Sequence, residues 1–242
     1  MILEQPGFES ADSKRVYQYV ERNGTAETDS VRDALDIPEA EFRSVVEELT
    51  EKEYLAEQNG TLALHLDIGA EQEYEADDIT YVVRPARDRD FEQLVGAIQD
   101  ITDKRTYAVG EELADELRYE NTVTRHNSVW SRVFFIATVD EYAVGWSHLD
   151  LPHSDKLRET AQLTVGVRDE FRGYGIGKQL LNRALEWAEA NDYRKVYNSV
   201  AATNMNAVTF LEAQGWEREA VREDHFTIGD KQVDEVMLAY TF

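Results

Sequence analysis

No cysteine occurs among the 242 residues, which excludes disulfide scaffolds, thiolate zinc sites and cysteine nucleophiles. No apolar run approaches the ~20 residues of a membrane span; the longest, Val133-Phe134-Phe135-Ile136-Ala137, ends after five. The opening residues lack the charged, apolar and small-residue succession of a secretory signal. Lysine is scarce too, supplying 7 of the 25 basic residues, and 49 acidic residues bring the formal charge to −24. The acids are spread along the chain rather than gathered in a tail. A dispersed acidic excess with little lysine fits a salt-in halophile, where molar salt screens self-repulsion, or else an acidic mesophilic protein. Either origin disfavours phosphate-backbone partners. A soluble, cytoplasmic protein without a membrane partner is expected, with one or two domains and a substantial core from its 42% apolar residues.

Charge divides the chain. Residues 1–78 hold 21 acids and 6 bases, and residues 79–242 hold 28 and 19. The seam, Gly69-Ala70-Glu71-Gln72-Glu73-Tyr74-Glu75-Ala76-Asp77-Asp78, reads as a solvated linker. Before it, Asp12 or Ser13 can cap a helix ending at Asn23-Gly24, and Thr28 or Asp29 a short second one. Asp36-Ile37-Pro38 breaks that helix. A third runs from Glu39 to Lys52 with Phe42, Val45, Val46 and Leu49 at helical spacing. Leu55 to Leu64 then folds about Asn59-Gly60, a strong hairpin signal. This order resembles a winged helix, with the third helix as recognition element and the hairpin as wing. The third helix, however, shows Glu39, Glu41, Glu47, Glu48 and Glu51 against Arg43 and Lys52. Such a face repels phosphates, so the domain reads first as a docking module. Nucleic-acid binding through it remains the secondary reading, dependent on high-salt adaptation.

In the second domain, Thr80 to Val83 reads as a strand, followed by helices carrying Phe91 to Ile101 and Glu111 to about Tyr119. Strands Ser131–Val139 and Tyr142–Leu149 meet at a tight Asp140-Glu141 turn. A strand from Ala161 to Val167 enters Arg172-Gly173-Tyr174-Gly175-Ile176-Gly177-Lys178, which opens a helix burying Leu180, Leu181, Ala184, Trp187 and Ala188. A strand entering a glycine-rich turn that opens a helix is an anion cradle. Unpaired N–H groups of the first helical turn converge there with the positive end of the helix dipole. Glycines clear the approach, and Arg172 and Lys178 add positive charge. A Walker loop fails on count, with three residues between Gly173 and Gly177 and Gln179 after Lys178. A dinucleotide fingerprint fails as well, with one residue between Gly175 and Gly177.

The pattern that fits is Arg172-x-x-Gly175-x-Gly177, which resembles the pyrophosphate loop of the GNAT (GCN5-related N-acetyltransferase) superfamily. The preceding strand Leu163-Thr164-Val165-Gly166-Val167, the strand Lys195–Ala201, the helix opening Asn204-Met205-Asn206-Ala207, Gly215-Trp216 and two closing strands follow the family order over residues 79–242. Asp234 falls near where many members keep an acid. The resemblance implies an α/β (α+β) fold with a mixed, splayed sheet flanked by helices, beside the smaller winged-helix-like domain. It further implies transfer of an acetyl group from acetyl-CoA, as cosubstrate, to a primary amine of a small molecule or protein. On that reading the backbone of Val165, Gly166 and Val167 pairs with the pantetheine arm. Amides of Gly173, Tyr174, Gly175, Ile176, Gly177 and Lys178 hold the diphosphate, Arg172 stands at its edge, and Asn204 contacts the cosubstrate. A homodimer is left open.

The proton-transfer residues depart from the family. Leu211 stands where many members have a tyrosine, beside Phe210, and Ser199 where the branch acetylating protein N-termini has a glutamate. Replacement candidates come from position alone. Glu159, before the strand Ala161–Val167, is a candidate base, and His148, Asp150 and His153 could face the acceptor. Tyr197 is a candidate acid, and His225 is open. Each has a competing structural reading as a packed or solvated residue. The five histidines show no metal-ligand spacing, and no metal is expected. The absent acid and base leave a second reading, an acyl-CoA-sensing regulator without turnover.

Overall fold

The computed structural model describes residues 6–102 and 110–242. The first helix, α1 (Ala11–Asn23), is capped by Ser10, whose extended backbone lets its hydroxyl accept from the Ser13 N–H. Asp12 and Ser13, the caps expected from sequence, lie inside the first turn. Then come β1 (Ala26–Glu27), α2 (Thr28–Leu35), α3 (Glu39–Glu51), β2 (Leu55–Gln58) and β3 (Thr61–Leu64). Neither Thr28 nor Asp29 caps α2; Glu27 stands there without a side-chain bond. Asn59 and Gly60 turn the hairpin with φ of 53° and 75°, the left-handed pair a tight two-residue turn requires. The short β1 pairs with β3 and makes a three-stranded sheet in the order β1-β3-β2. Val16, Val20, Phe42, Val46 and Leu49 close a small core against Leu55 and Leu62.

The seam departs from the linker expected there. Gln72–Ala76 is a strand, β4, paired antiparallel with β5 (Ile79–Pro85). Upstream of it Trp187 donates to the Asp67 carbonyl, and Arg183 donates to the carbonyls of Ile68 and Ala70. The acidic side chains Glu73 and Glu75 face outward while Gln72, Tyr74 and Ala76 turn inward. High charge therefore sits on one face of an ordinary edge strand.

The remaining elements are α4 (Phe91–Thr102), α5 (Gly110–Glu120), β6 (Arg125–His126), β7 (Trp130–Val139), β8 (Tyr142–Pro152), β9 (Thr160–Val167), α6 (Ile176–Ala190), β10 (Lys195–Ala201), α7 (Met205–Ala213), β11 (Glu217–Ile228) and β12 (Lys231–Thr241). With β4 and β5 they form a sheet ordered β11-β12-β10-β9-β8-β7-β5-β4, with β6 on β7. Of its pairings, β9 with β10 is parallel and the others are antiparallel. Central β7 is covered on both sides, which explains its unbroken apolar run. Val133, Phe135 and Ala137 pack toward α6, and Phe134 and Ile136 toward α4 and α5.

The two sheets are joined by polar contacts. Tyr17 of α1 donates to the His126 carbonyl at 2.6 Å, and Arg125 lies 3.0 Å from both Glu21 and Glu120. Among the described residues no helix is long and apolar enough to cross a membrane.

Candidate active site

β9 and β10 pair only at Thr160–Lys195, Ala161–Val196 and Gln162–Tyr197. Beyond these rungs each strand is held from outside, β9 by β8 as far as Val167 and β10 by β12 as far as Ala201. The inner edges therefore diverge. Between them lies a cleft of about 800 Å³, lined on one wall by Thr164, Val165, Gly166 and Val167 and on the other by Asn198, Ser199, Val200 and Ala201. Alternate residues of the free β9 edge turn N–H and C=O groups into this space, where an extended amide-bearing ligand can add as a strand.

The mouth of the cleft is the glycine loop. Gly173 and Gly175 have φ of 91° and 79°, conformations that disfavour any side chain. A Cβ on Gly173 would stand in open space, so the loop's backbone faces the cleft bare. Gly175 occupies the N-cap of α6 without a side-chain cap, and the first helical bond at this end runs from Gln179 N–H to the Gly175 carbonyl. The N–H groups of Ile176, Gly177 and Lys178 thus lack helical acceptors, as in any first turn, and with the dipole they form a seat for an anion. Arg172 lies at the edge, donating to the Val167 carbonyl at 3.1 Å and pairing with Asp169 at 2.8 Å. Of the expected cosubstrate residues, Tyr174 is the one outside the lining; its ring packs on the core.

Other walls were not foreseen. Trp146 and Ile101 close the cleft behind Gly166, where an added Cβ would come within 3.2 Å of the indole and 3.1 Å of Ile101. Gly166 is glycine because Trp146 fills its side-chain space. Phe210 and Leu211 of α7 line the far side, so the position that many family members give to tyrosine presents only hydrocarbon. Asn204 also lines the cleft, but its Oδ1 accepts the Ala207 N–H and caps α7.

None of the three proposed catalytic residues lines the cleft. Glu159 precedes the end of β9 that is still paired; its half-exposed carboxylate lies 3.7 Å from Arg194. The strand's direction carries it away from the glycine loop. Tyr197 sits on the last rung, with burial and then nearby Asp150 pushing its phenol upward. His148 stacks on Phe134 and shares a hydrogen bond with Thr164 Oγ1 at 3.3 Å, so it reaches the cleft wall through that hydroxyl. Burial, and then Arg132, hold its imidazole well below its ordinary pKa, hence neutral. Asp150 is raised by burial, and Arg132 opposes the shift. His153 is bonded to Ser131 at 2.8 Å and His225 lies on the edge strand; neither lines the cleft.

The residue that position alone missed is Glu235. It is almost wholly buried, and its Oε1 accepts from Ser199 Oγ on the cleft wall. Arg222 lies 3.0 Å and His225 3.5 Å from Oε2. Asp234, the acid that sequence pointed to, instead accepts the Asp224 N–H at 2.9 Å. Among the described residues no group of three His, Asp or Glu could hold a metal ion.

Comparison with known proteins agrees with this fold. Residues 94–216 match the model of the acetyltransferase (GNAT) family. An uncharacterized N-acetyltransferase of Methanocaldococcus jannaschii is 33% identical over 91 residues, covering 36% of this chain and 40% of that protein. The chain thus spans less than half the length of that relative. A GNAT-family acetyltransferase from Streptococcus pneumoniae superposes with a TM-score of 0.56 at 18% identity, covering 67% of this chain and 99% of the other. A GCN5-related N-acetyltransferase from Kribbella flavida superposes at 0.57 with 22% identity, covering 67% and 98%. The chain belongs to the GNAT family of acetyltransferases.

Proposed function

We propose that the protein transfers the acetyl group of acetyl-CoA to a primary amine by direct attack. The observation carrying this reading is the joined cleft: a bare glycine loop at a helix N-terminus opens onto the free edge of β9. An elongated ligand with a diphosphate at one end and amides along its arm fits both features. The N–H groups of Ile176, Gly177 and Lys178 would hold the diphosphate, and the β9 edge from Val165 to Val167 would hold the arm. Bound acetyl-CoA supplies the activated thioester. The protein aligns that carbonyl with the amine, keeps water away with Trp146, Ile101 and Phe210, and offers β9 amides to the developing oxyanion.

The residues through β3 read as a winged-helix-like module set before the acetyltransferase domain, whose sheet β4 joins at its edge. The module's third helix exposes Glu39, Glu41, Glu47 and Glu51, a surface suited to protein docking rather than to nucleic acid. The dispersed charge of −24 is read as adaptation to high salt. A melting temperature that rises between low salt and molar potassium chloride supports this; one that is flat or falling refutes it.

The test of function is thiol release from acetyl-CoA in high salt across a panel of primary amines. Amine-dependent release establishes the transferase. Saturable acetyl-CoA binding without release over the whole panel establishes a sensor and refutes the reading.

A further inference from the structure

We infer that Glu235, acting through the hydroxyl of Ser199, is the device that deprotonates the acceptor amine. The inference rests on the acetyltransfer reading and assigns its missing base.

A primary amine has a pKa of about 10 and enters as the ammonium ion near neutral pH. Attack requires the neutral form, so a group at the cleft must take a proton. Asp169, a carboxylate in the lining, stands at the glycine loop paired with Arg172, whereas on the walls where β9 and β10 part Ser199 has a carboxylate directly behind it. The strand register dictates this pairing. Ser199 of β10 stands opposite Met237 of β12, and Glu235, two residues before Met237, shares its face of the sheet. Asp234 falls on the other parity. The position that a glutamate fills in one branch of the family is thus supplied from the adjacent strand, with a hydroxyl between carboxylate and cleft.

The groups facing Glu235 suit this task. Ser199 approaches from β10; Arg222, at 3.0 Å, and His225, at 3.5 Å, approach from β11. Arg222 keeps the buried carboxylate paired. Arg222 and His225 are both roughly half exposed, so an acquired proton has a route to solvent along the sheet edge. Ser199 lies just beyond the last rung, across from Thr164, where the two walls begin to separate. Thr164 is backed by His148, but burial holds that imidazole neutral and makes it a weak proton acceptor.

One ammonium proton moves to Ser199 Oγ as the Ser199 proton moves to Glu235, leaving a neutral amine and a protonated carboxyl. The amine nitrogen bonds to the thioester carbon and the carbon–sulfur bond breaks, the sulfur keeping the electron pair. The second nitrogen proton goes to that thiolate, giving amide and thiol. Glu235 returns its proton to solvent. Ser199 is the catalytic residue, and Glu235 acts through it.

The experiment compares wild type, Glu235→Gln, Ser199→Ala and the double variant Ser199→Glu/Glu235→Gln. Thiol release is followed from pH 7 to 10 at saturating acetyl-CoA with n-butylamine, spermidine and a tripeptide with a free N-terminus. Acetyl-CoA affinity is measured for each protein. Loss of a proton acceptor slows the reaction only where the amine needs one. Glu235→Gln should fall about 100-fold or more at pH 7, within the span of general-base contributions, yet come within about threefold of wild type at pH 10. Ser199→Ala should show the same pH dependence. The double variant, with a carboxylate directly at the cleft, should regain at least about tenfold at pH 7. Acetyl-CoA affinity should change less than about twofold in all. A Glu235→Gln rate within threefold of wild type at pH 7, or reduced equally at every pH, overturns the inference while leaving acetyltransfer intact. Should that variant fail to fold, Ser199→Ala decides by the same pH criterion. A wild type that binds acetyl-CoA but acetylates none of the probes overturns acetyltransfer and the relay together.

Discussion

Gln162 and Tyr197 form the last rung between β9 and β10, and one step beyond it on the same face Thr164 and Ser199 stand on opposite walls of a cleft. The separation is built into the sheet, because β8 and β12 hold the outer edges of both strands past the point where the inner edges part. The cleft is therefore preformed, and ligand binding need not meet the cost of opening it. The closeness of Gly166 to Trp146 and the cap made by Asn204 fix its walls.

Trp146 predicts one consequence. A Cβ at Gly166 would press the indole at 3.2 Å and Ile101 at 3.1 Å. Gly166→Ala should destabilise by about 1–3 kcal/mol, the usual cost of overpacking. Urea unfolding checks this, and an unchanged midpoint would show that the wall yields freely.

Arg84 and Asp90 form a buried bidentate pair at 2.7 and 2.8 Å, and the carboxylate also accepts the Arg87 N–H. Burial pushes Asp90 upward, but Arg84 and that amide overcome it and hold the carboxyl below its ordinary pKa. Asp90→Asn strands the guanidinium and should cost about 3–5 kcal/mol. A loss under 1 kcal/mol in thermal or chemical melts would contradict this account of the β5–α4 corner.

His148 gives a pH dependence. Its folded pKa is depressed, so the unfolded chain binds the extra proton, and the stability it contributes is full above about pH 6.5. That contribution is lost progressively as the pH falls from there toward the folded value. Against wild type, His148→Gln should show a shallower decline of unfolding free energy below pH 6.5, by up to about 1.4 kcal/mol per pH unit. Parallel pH profiles for the two proteins would mean that the imidazole is not held neutral.

Asn204 separates a structural role from a binding one. Asn204→Ala removes the α7 cap and should cost about 1 kcal/mol, whereas Asn204→Asp keeps an acceptor and most of that stability. If Asn204 also contacts the cosubstrate, Asn204→Asp should still weaken acetyl-CoA binding. Equal affinity for Asn204→Asp and wild type would leave the cap as its whole role.

Local signals made much of this fold legible. Asn59-Gly60 marked one hairpin, and Asp140-Glu141 marked the turn between β7 and β8. The glycine spacing from Arg172 to Gly177 located the loop because φ requirements are written residue by residue. What stayed hidden depended on partners distant in sequence. In β4 the alternation of Tyr74 and Ala76 with Glu73 and Glu75 was present, but its charge resembled a linker. Glu235 could not be told from Asp234 without the register of β12 on β10. Glu159 stands just before the expected strand but beside its closed end, since the sequence does not say where two strands part company.

The seat of the diphosphate is decided by calorimetric titration of acetyl-CoA into wild type and Gly175→Glu. Gly175, in the left-handed region at φ 79°, caps α6, so a glutamate there would set a like charge against a diphosphate bound at the helix N-terminus. The variant should retain its fold by circular dichroism and bind at least about 100-fold more weakly, a difference near 2.7 kcal/mol. A folded variant whose affinity stays within about twofold of wild type would place the ligand elsewhere and contradict the account at its centre.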